Sequence, residues 1–299
     1  MSLTSGLSYL LASVICSVAV AAMLKLARRW QVDVRQAIMV NHAVAALLCG
    51  LLLRPAPATL LTPQTPWAVL LALGLLLPSG FMAMALAVRY AGVARSDAAQ
   101  RLSLFIPLLA AFLLFGEPVS ARKLGAIALA FAALFCLLRR PATVASGGNA
   151  GVAAATDDTP RHALWCWPLA VWAAYGLVDI LFKQMARAGT AFAGGLLLAF
   201  ALSSMLMLGY LLWRRARWAP RHLFAGVALG VVNFGNIITY IRAHQALPAN
   251  PALVFAAMNM GVITLGTLVG ALVFREPLSR LNVLGLALAL AAILSMAPW

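Results

Sequence analysis

Four charged side chains, Lys25, Arg101, Asp179 and Lys183, stand within otherwise apolar runs of the chain. An ionisable group is costly inside a bilayer, so each one in such a run is a candidate for function. Lys25 and Lys183 lie near the ends of two runs, 158 positions apart. They are either paired cationic anchors for an anionic group or stems that snorkel to the interface. Asp179 precedes Lys183 by four residues, the order that favours an ion pair on a helix, and no other acid lies as deep in a run. It is read as a proton-coupling carboxylate or as half of a static pair with Lys183. Arg101, with Gln100 and Ser103 beside it, has the geometry to grip a carboxylate or phosphate through two parallel hydrogen bonds. Its plainer role is bonding to backbone carbonyls or to Asp97.

Neutral polar residues add a second pattern. Asn233, Asn236, Tyr240 and His244 follow at steps of 3, 4 and 4, which puts them on one helix face. In lipid such a face turns toward protein or a water-filled cavity, so it lines a cavity or bonds to other helices. Asn259 and Asn41 are weaker candidates for the same site, and His42 and His222 read as incidental. Pro78-Ser79-Gly80 interrupts another run at its middle and is expected to free backbone carbonyls. Glu117 and Glu276 precede Pro118 and Pro277, a pattern that suits the start of a helix, and are assigned a structural role.

The elements that position these residues follow from composition. Apolar residues make up 64% of the 299 residues and charged residues 10%, against about 45–50% and about 25% in soluble domains. The runs far exceed a barrel strand and do not alternate, so the fold expected is all-α and integral to a membrane. Ten transmembrane helices are expected near 7–27, 35–53, 66–89, 97–116, 119–138, 163–186, 191–213, 221–243, 251–274 and 279–297. The first is read as a span and not as a cleaved signal, because Met1 to Gly6 carries no positive charge. The net charge of +15 is dispersed between runs, which argues against nucleic acid as a partner. Tryptophans such as Trp30, Trp165, Trp213 and Trp218 fall near helix ends, as interface anchors do. Cys16, Cys49, Cys136 and Cys166 are isolated, so no disulfide framework, metal or cofactor is expected.

The chain repeats itself. Met-Leu-Lys at 23–25 is echoed by Leu-Phe-Lys at 181–183, and Gly-Glu-Pro-Val-Ser at 116–120 by Arg-Glu-Pro-Leu-Ser 159 positions later. Gly125 and Gly285 are 160 apart. This divides the chain into a five-helix repeat at 1–138, a polar flexible linker at 139–162 and a second repeat at 163–299. Five is odd, so the second repeat enters the membrane inverted. The charges agree: of 22 lysines and arginines, fourteen fall on one side, five on the other and three within spans. The basic bias switches between matching loops of the halves. It places both termini outside and the 139–162 linker in the cytoplasm.

These features resemble the ten-helix, EamA-type branch of the drug/metabolite transporter superfamily. The most specific block runs from Arg-Leu-Ser-Leu-Phe-Ile-Pro-Leu-Leu at 101–109 through Phe-Gly-Glu-Pro at 115–118 to Gly125, echoed by Phe-Arg-Glu-Pro at 274–277. The resemblance implies secondary transport of a small organic solute in the bacterial inner membrane, often export, with the halves rocking around a central cavity. Members of the family keep both termini in the cytoplasm, the reverse of what the charges favour here. Lys25, Lys183 and Arg101, set against one deep acid, favour an anionic or amino-acid-like substrate. A proton or counter-substrate is the expected coupling species, and the assembly a monomer or homodimer. An intramembrane enzyme is the alternative, although no His-Glu-x-x-His, paired intramembrane aspartates or Gly-x-Ser-x-Gly is present. A scaffold or sensor would be expected to carry a soluble domain.

Overall fold

The computed structural model describes residues 3–56, 66–91, 93–138, 163–188, 192–273 and 279–296. The expected linker at 139–162, the Glu276–Pro277 pair and the Lys25 side chain lie outside that description. Among the described residues the structure is helical and contains no strand. The helices are α1 (Leu3–Arg29), α2 (Val34–Leu48, prolonged by a π turn over Cys49–Leu53), α3 (Trp67–Tyr90), α4 (Val93–Leu102), α5 (Phe105–Leu113) and α6 (Ala121–Leu138). They continue as α7 (Ala163–Arg187), α8 (Phe192–Trp213), α9 (Pro220–Ala246), α10 (Pro251–Leu272) and α11 (Arg280–Met296). Among the described residues seven stretches, in α1, α2, α3, α7, α8, α9 and α10, are long and apolar enough to cross a membrane.

The chain forms two compact units, Met1–Met82 with Leu177–Ala246 and Ala83–Gly176 with Leu247–Trp299. Each unit draws on both of the expected sequence halves. In the first unit, α9 packs along α1 and α2, and α2 also packs against α8. Leu10, Val14 and Val18 mark the buried face of α1 at four-residue steps, while Leu11 and Ile15 are 61% and 52% exposed. Both faces are apolar, because lipid replaces water outside; burial and not polarity distinguishes them.

The α2–α9 contact depends on Gly226 and Gly230. A Cβ on Gly226 would lie 2.8 Å from the Ala37 carbonyl oxygen, and one on Gly230 2.9 Å from that of Asn41. Small residues four apart let two backbones approach where lipid offers no hydrophobic drive between helices.

Proline has two different outcomes. Pro78 lacks the N–H that would bond the Gly74 carbonyl, yet α3 continues to Tyr90. The expected free carbonyl is occupied: Ser203 of α8, fully buried, donates to it at 2.9 Å. In the second unit Pro107 ends the regularity. The expected helix at 97–116 is two pieces, α4 and α5, separated at Ser103 and Leu104. The ring of Pro107 disfavours the helical position of the Ser103 carbonyl, four residues earlier. That carbonyl instead accepts from Ile106 N at 3.0 Å, and Trp172 of α7 donates its indole N–H to Leu102 O at 3.1 Å.

Also in the second unit, α11 lies on α6 and α10 touches α5, α6 and α11. Asn282 reaches from α11 to the Leu137 carbonyl of α6 at 3.3 Å. Glu117 is structural as expected, but it serves a different helix. Its Oε2 accepts from Ala252 N at 2.7 Å, in the first turn of α10, while Lys123 pairs with Oε1 at 2.8 Å. A carboxylate there satisfies an orphan N–H and meets the positive end of the helix dipole.

Candidate functional site

The first unit collects Asp179, Lys183, Asn233, Asn236 and Tyr240, together with the α1 backbone at Lys25. Their common platform is the polar face of α9, on which Asn233, Asn236 and Tyr240 each bond to another helix. Asn233 Nδ2 donates to Asn41 Oδ1 of α2 at 3.2 Å. Ser13 of α1 donates to Asn236 Oδ1 at 2.8 Å. Tyr240 donates its hydroxyl to Asp179 Oδ1 of α7 at 3.1 Å. Through these bonds the face is tied to three helices.

The end of α9 holds the densest chemistry. The Tyr240 and His244 rings meet edge-on with centroids 4.8 Å apart, and Phe182 meets Tyr240 edge-on at 6.2 Å. Lys183 is 1% exposed and is an electrostatic neighbour of His244. That degree of enclosure does not fit a lysine head reaching for the interface. A part-buried carboxylate and a buried ammonium, phenol and imidazole thus share one cluster formed by α7 and α9. Such a group can bind a charged or zwitterionic solute through charge-assisted hydrogen bonds, or pass a proton between members.

A second feature lies toward α1 and α2. A narrow cleft is lined by Val20, Ile38, Phe81 and Leu229, with Asn41 and Asn233 as its polar edge. Its enclosed space, about 10 Å³, is room for about one water and far below the ~300–1,000 Å³ typical of ligand pockets. Next to Asn41, His42 is fully buried, its ring edge-on to Phe81 at 6.1 Å and stacked on Phe200 at 6.3 Å. Neither nitrogen makes a hydrogen bond of normal geometry, although the Ile38 carbonyl one turn back is within reach of the ring. His42, expected to be incidental, and Ser13, which no sequence pattern singles out, thus both take part in the packing of this region.

The remaining candidates are in the second unit. Asn259 Nδ2 bonds to the Phe255 carbonyl of its own helix at 3.0 Å. Arg101 is half-buried in the last turn of α4, one residue pair before the break, and Ser103 donates to the Gln100 carbonyl at 2.5 Å. Among the described residues no three His, Cys, Asp or Glu side chains converge as metal ligands, and the four cysteines are free thiols.

Residues 4–139 match the EamA-like transporter family. The chain belongs to that family. This EamA-like protein is 45% identical over 290 residues to an uncharacterized protein of Haemophilus influenzae, with 95% of each chain covered. Its fold is shared with a protein of known crystal structure at a TM-score of 0.70 and 18% identity, over 98% of this chain and 96% of that one. An EamA-like chain with several apolar spans is a multi-pass membrane protein, with a small-molecule substrate and the bilayer as its surroundings.

Proposed function

We propose that the protein is a secondary transporter that exports a small organic metabolite across the bacterial inner membrane by alternating access. The substrate is anionic or amino-acid-like, and Lys183 with Tyr240 is its anchor. The observation that carries this reading is the Asp179–Tyr240–His244–Lys183 cluster, buried except for the part-buried Asp179, in an EamA-like chain. Charged groups at that depth cost too much to persist without a role. Asp179 is the candidate for coupling to a proton or counter-substrate.

Ten crossings in two inverted halves complete the proposal. It is supported by the near-constant offset of the sequence echoes and by two packings, α2 on α8 and α6 on α11. An inverted repeat maps each of these pairs onto itself. The charge distribution favours both termini outside.

The test is flux in proteoliposomes loaded with labelled amino acids or carboxylates, under imposed pH and solute gradients. The protein should move at least one solute well above empty vesicles. Lys183→Ala and Tyr240→Phe should each lower that flux about tenfold, roughly the loss of one charge-assisted bond, with insertion unchanged. Lys25→Ala reports whether the matching lysine shares the role. Absence of flux under every gradient, with chemical alteration of a lipid or peptide, would favour the intramembrane enzyme instead.

A further inference from the structure

One end of the first unit gathers positive charge from two turns distant in sequence. The α1–α2 turn carries Arg28, Arg29 and Arg35, and the α8–α9 turn Arg214, Arg215, Arg217 and Arg221. Three contacts fasten the turns side by side. Gln36 Nε2 donates to the Arg217 carbonyl at 2.8 Å, Asp33 N donates to His222 Nδ1 at 3.2 Å, and the Arg35 guanidinium lies 5.9 Å over the Tyr210 ring. Asp33 is the one acid in either turn. Its carboxylate is engaged locally, accepting from Arg35 N at 3.0 Å and from Gln36 Nε2 at 3.4 Å.

The α8–α9 turn is held in a defined shape. Arg215 has φ +49°, and the bonds Arg215 N to Leu212 O and Ala216 N to Leu211 O, both 3.0 Å, close α8. This is the closure in which glycine ordinarily takes the left-handed position. An arginine stands there instead, and Arg214, Arg215, Arg217 and Arg221 are all exposed. Trp213, Trp218 and Trp30 are exposed beside them, by 77%, 43% and 65%. Indoles settle at the depth of lipid headgroups, where the spans leave the hydrocarbon. The arginines therefore stand at phosphate level whichever side of the membrane this end faces.

We propose that these paired turns bind anionic phospholipid headgroups, with the phosphodiester held by Arg214, Arg215, Arg217 and Arg221 and the tryptophans seated among the upper acyl chains. Guanidinium groups suit the phosphate oxygens by their paired donors, and the scarcity of nearby acid leaves the field positive. A lipid fits better than a soluble polyanion, because the exposed Trp30, Trp213 and Trp218 flank the charge.

The test is thermal unfolding of the full chain in detergent micelles supplemented with phosphatidylglycerol, phosphatidylcholine or inorganic phosphate alone. A ligand of the folded state raises the midpoint. Phosphatidylglycerol should raise it by several degrees more than phosphatidylcholine, and phosphate should not reproduce the shift. The triple variant Arg214→Gln, Arg217→Gln, Arg221→Gln should lose more than half of the phosphatidylglycerol shift. Arg215→Gly guards against misfolding of the triple variant, since glycine suits the turn: its lipid-free midpoint should hold or rise while its lipid shift falls. Arg122→Gln, exposed in the other unit, should keep the whole shift. Equal shifts with both lipids, a full shift with phosphate alone, or full shifts in both arginine variants would each overturn the proposal.

Discussion

Ser203 donates its hydroxyl to the carbonyl of Gly74, the acceptor that Pro78 leaves without a partner in its own helix. A backbone carbonyl stranded in a membrane interior has no water to turn to, so its partner must come from another helix. One serine thus lets α3 carry a proline at mid-length without breaking, and it ties α3 to α8 at the same place.

Ser203→Ala should lower stability by about 1–2 kcal/mol, the cost of leaving that carbonyl unsatisfied. With Pro78→Ala already in place, residue 78 regains an N–H for Gly74, and the same serine substitution should cost clearly less. A double-mutant cycle on detergent-solubilised protein measures the difference. Equal costs in both backgrounds would show that Ser203 acts elsewhere.

Glu117 offers a second prediction. Its buried carboxylate accepts from Ala252 N and pairs with Lys123. Glu117→Ala removes both bonds and should destabilise by about 2–3 kcal/mol. Glu117→Gln keeps an acceptor for Ala252 and loses only the ion pair, so its unfolding midpoint should fall between those of the alanine variant and the parent. If the two variants unfold together, the helix cap contributes nothing.

His42 is the reverse case, a buried ring with neither nitrogen well bonded, between Phe81 and Phe200. Replacing such a group by an apolar one of similar shape is close to neutral or stabilising. His42→Phe should therefore leave the unfolding midpoint unchanged or raise it. A loss of about 2 kcal/mol or more would mean that the imidazole is bonded in the membrane-embedded protein.

The sequence reading and the structure part company where partners are distant. Helical, membrane-crossing character was legible because lipid demands long apolar runs, and the face of Asn233, Asn236 and Tyr240 because its spacing is local. That Asn233 meets Asn41 and Asn236 meets Ser13, over 192 and 223 positions, is a product of packing that no local pattern carries. The same holds for Glu117: the adjacent proline pointed to the following helix, whereas the N-terminus it caps is that of α10. The break at Ser103 did have a local sign. Pro107 stands four residues on, but the apolar run continues through it and masks the interruption.

The glycine seam between α2 and α9 has a mechanical consequence. Gly226 and Gly230 are notches, each holding a carbonyl of α2 within 3 Å of where a Cβ would stand. Sliding α9 by one, two or three residues would press Val227, Ala228 or Leu229 against those oxygens. A shift of four residues, about 6 Å along the axis, would bring one glycine back to an oxygen but set Phe234 or His222 against the other. The two helices therefore travel as a single part.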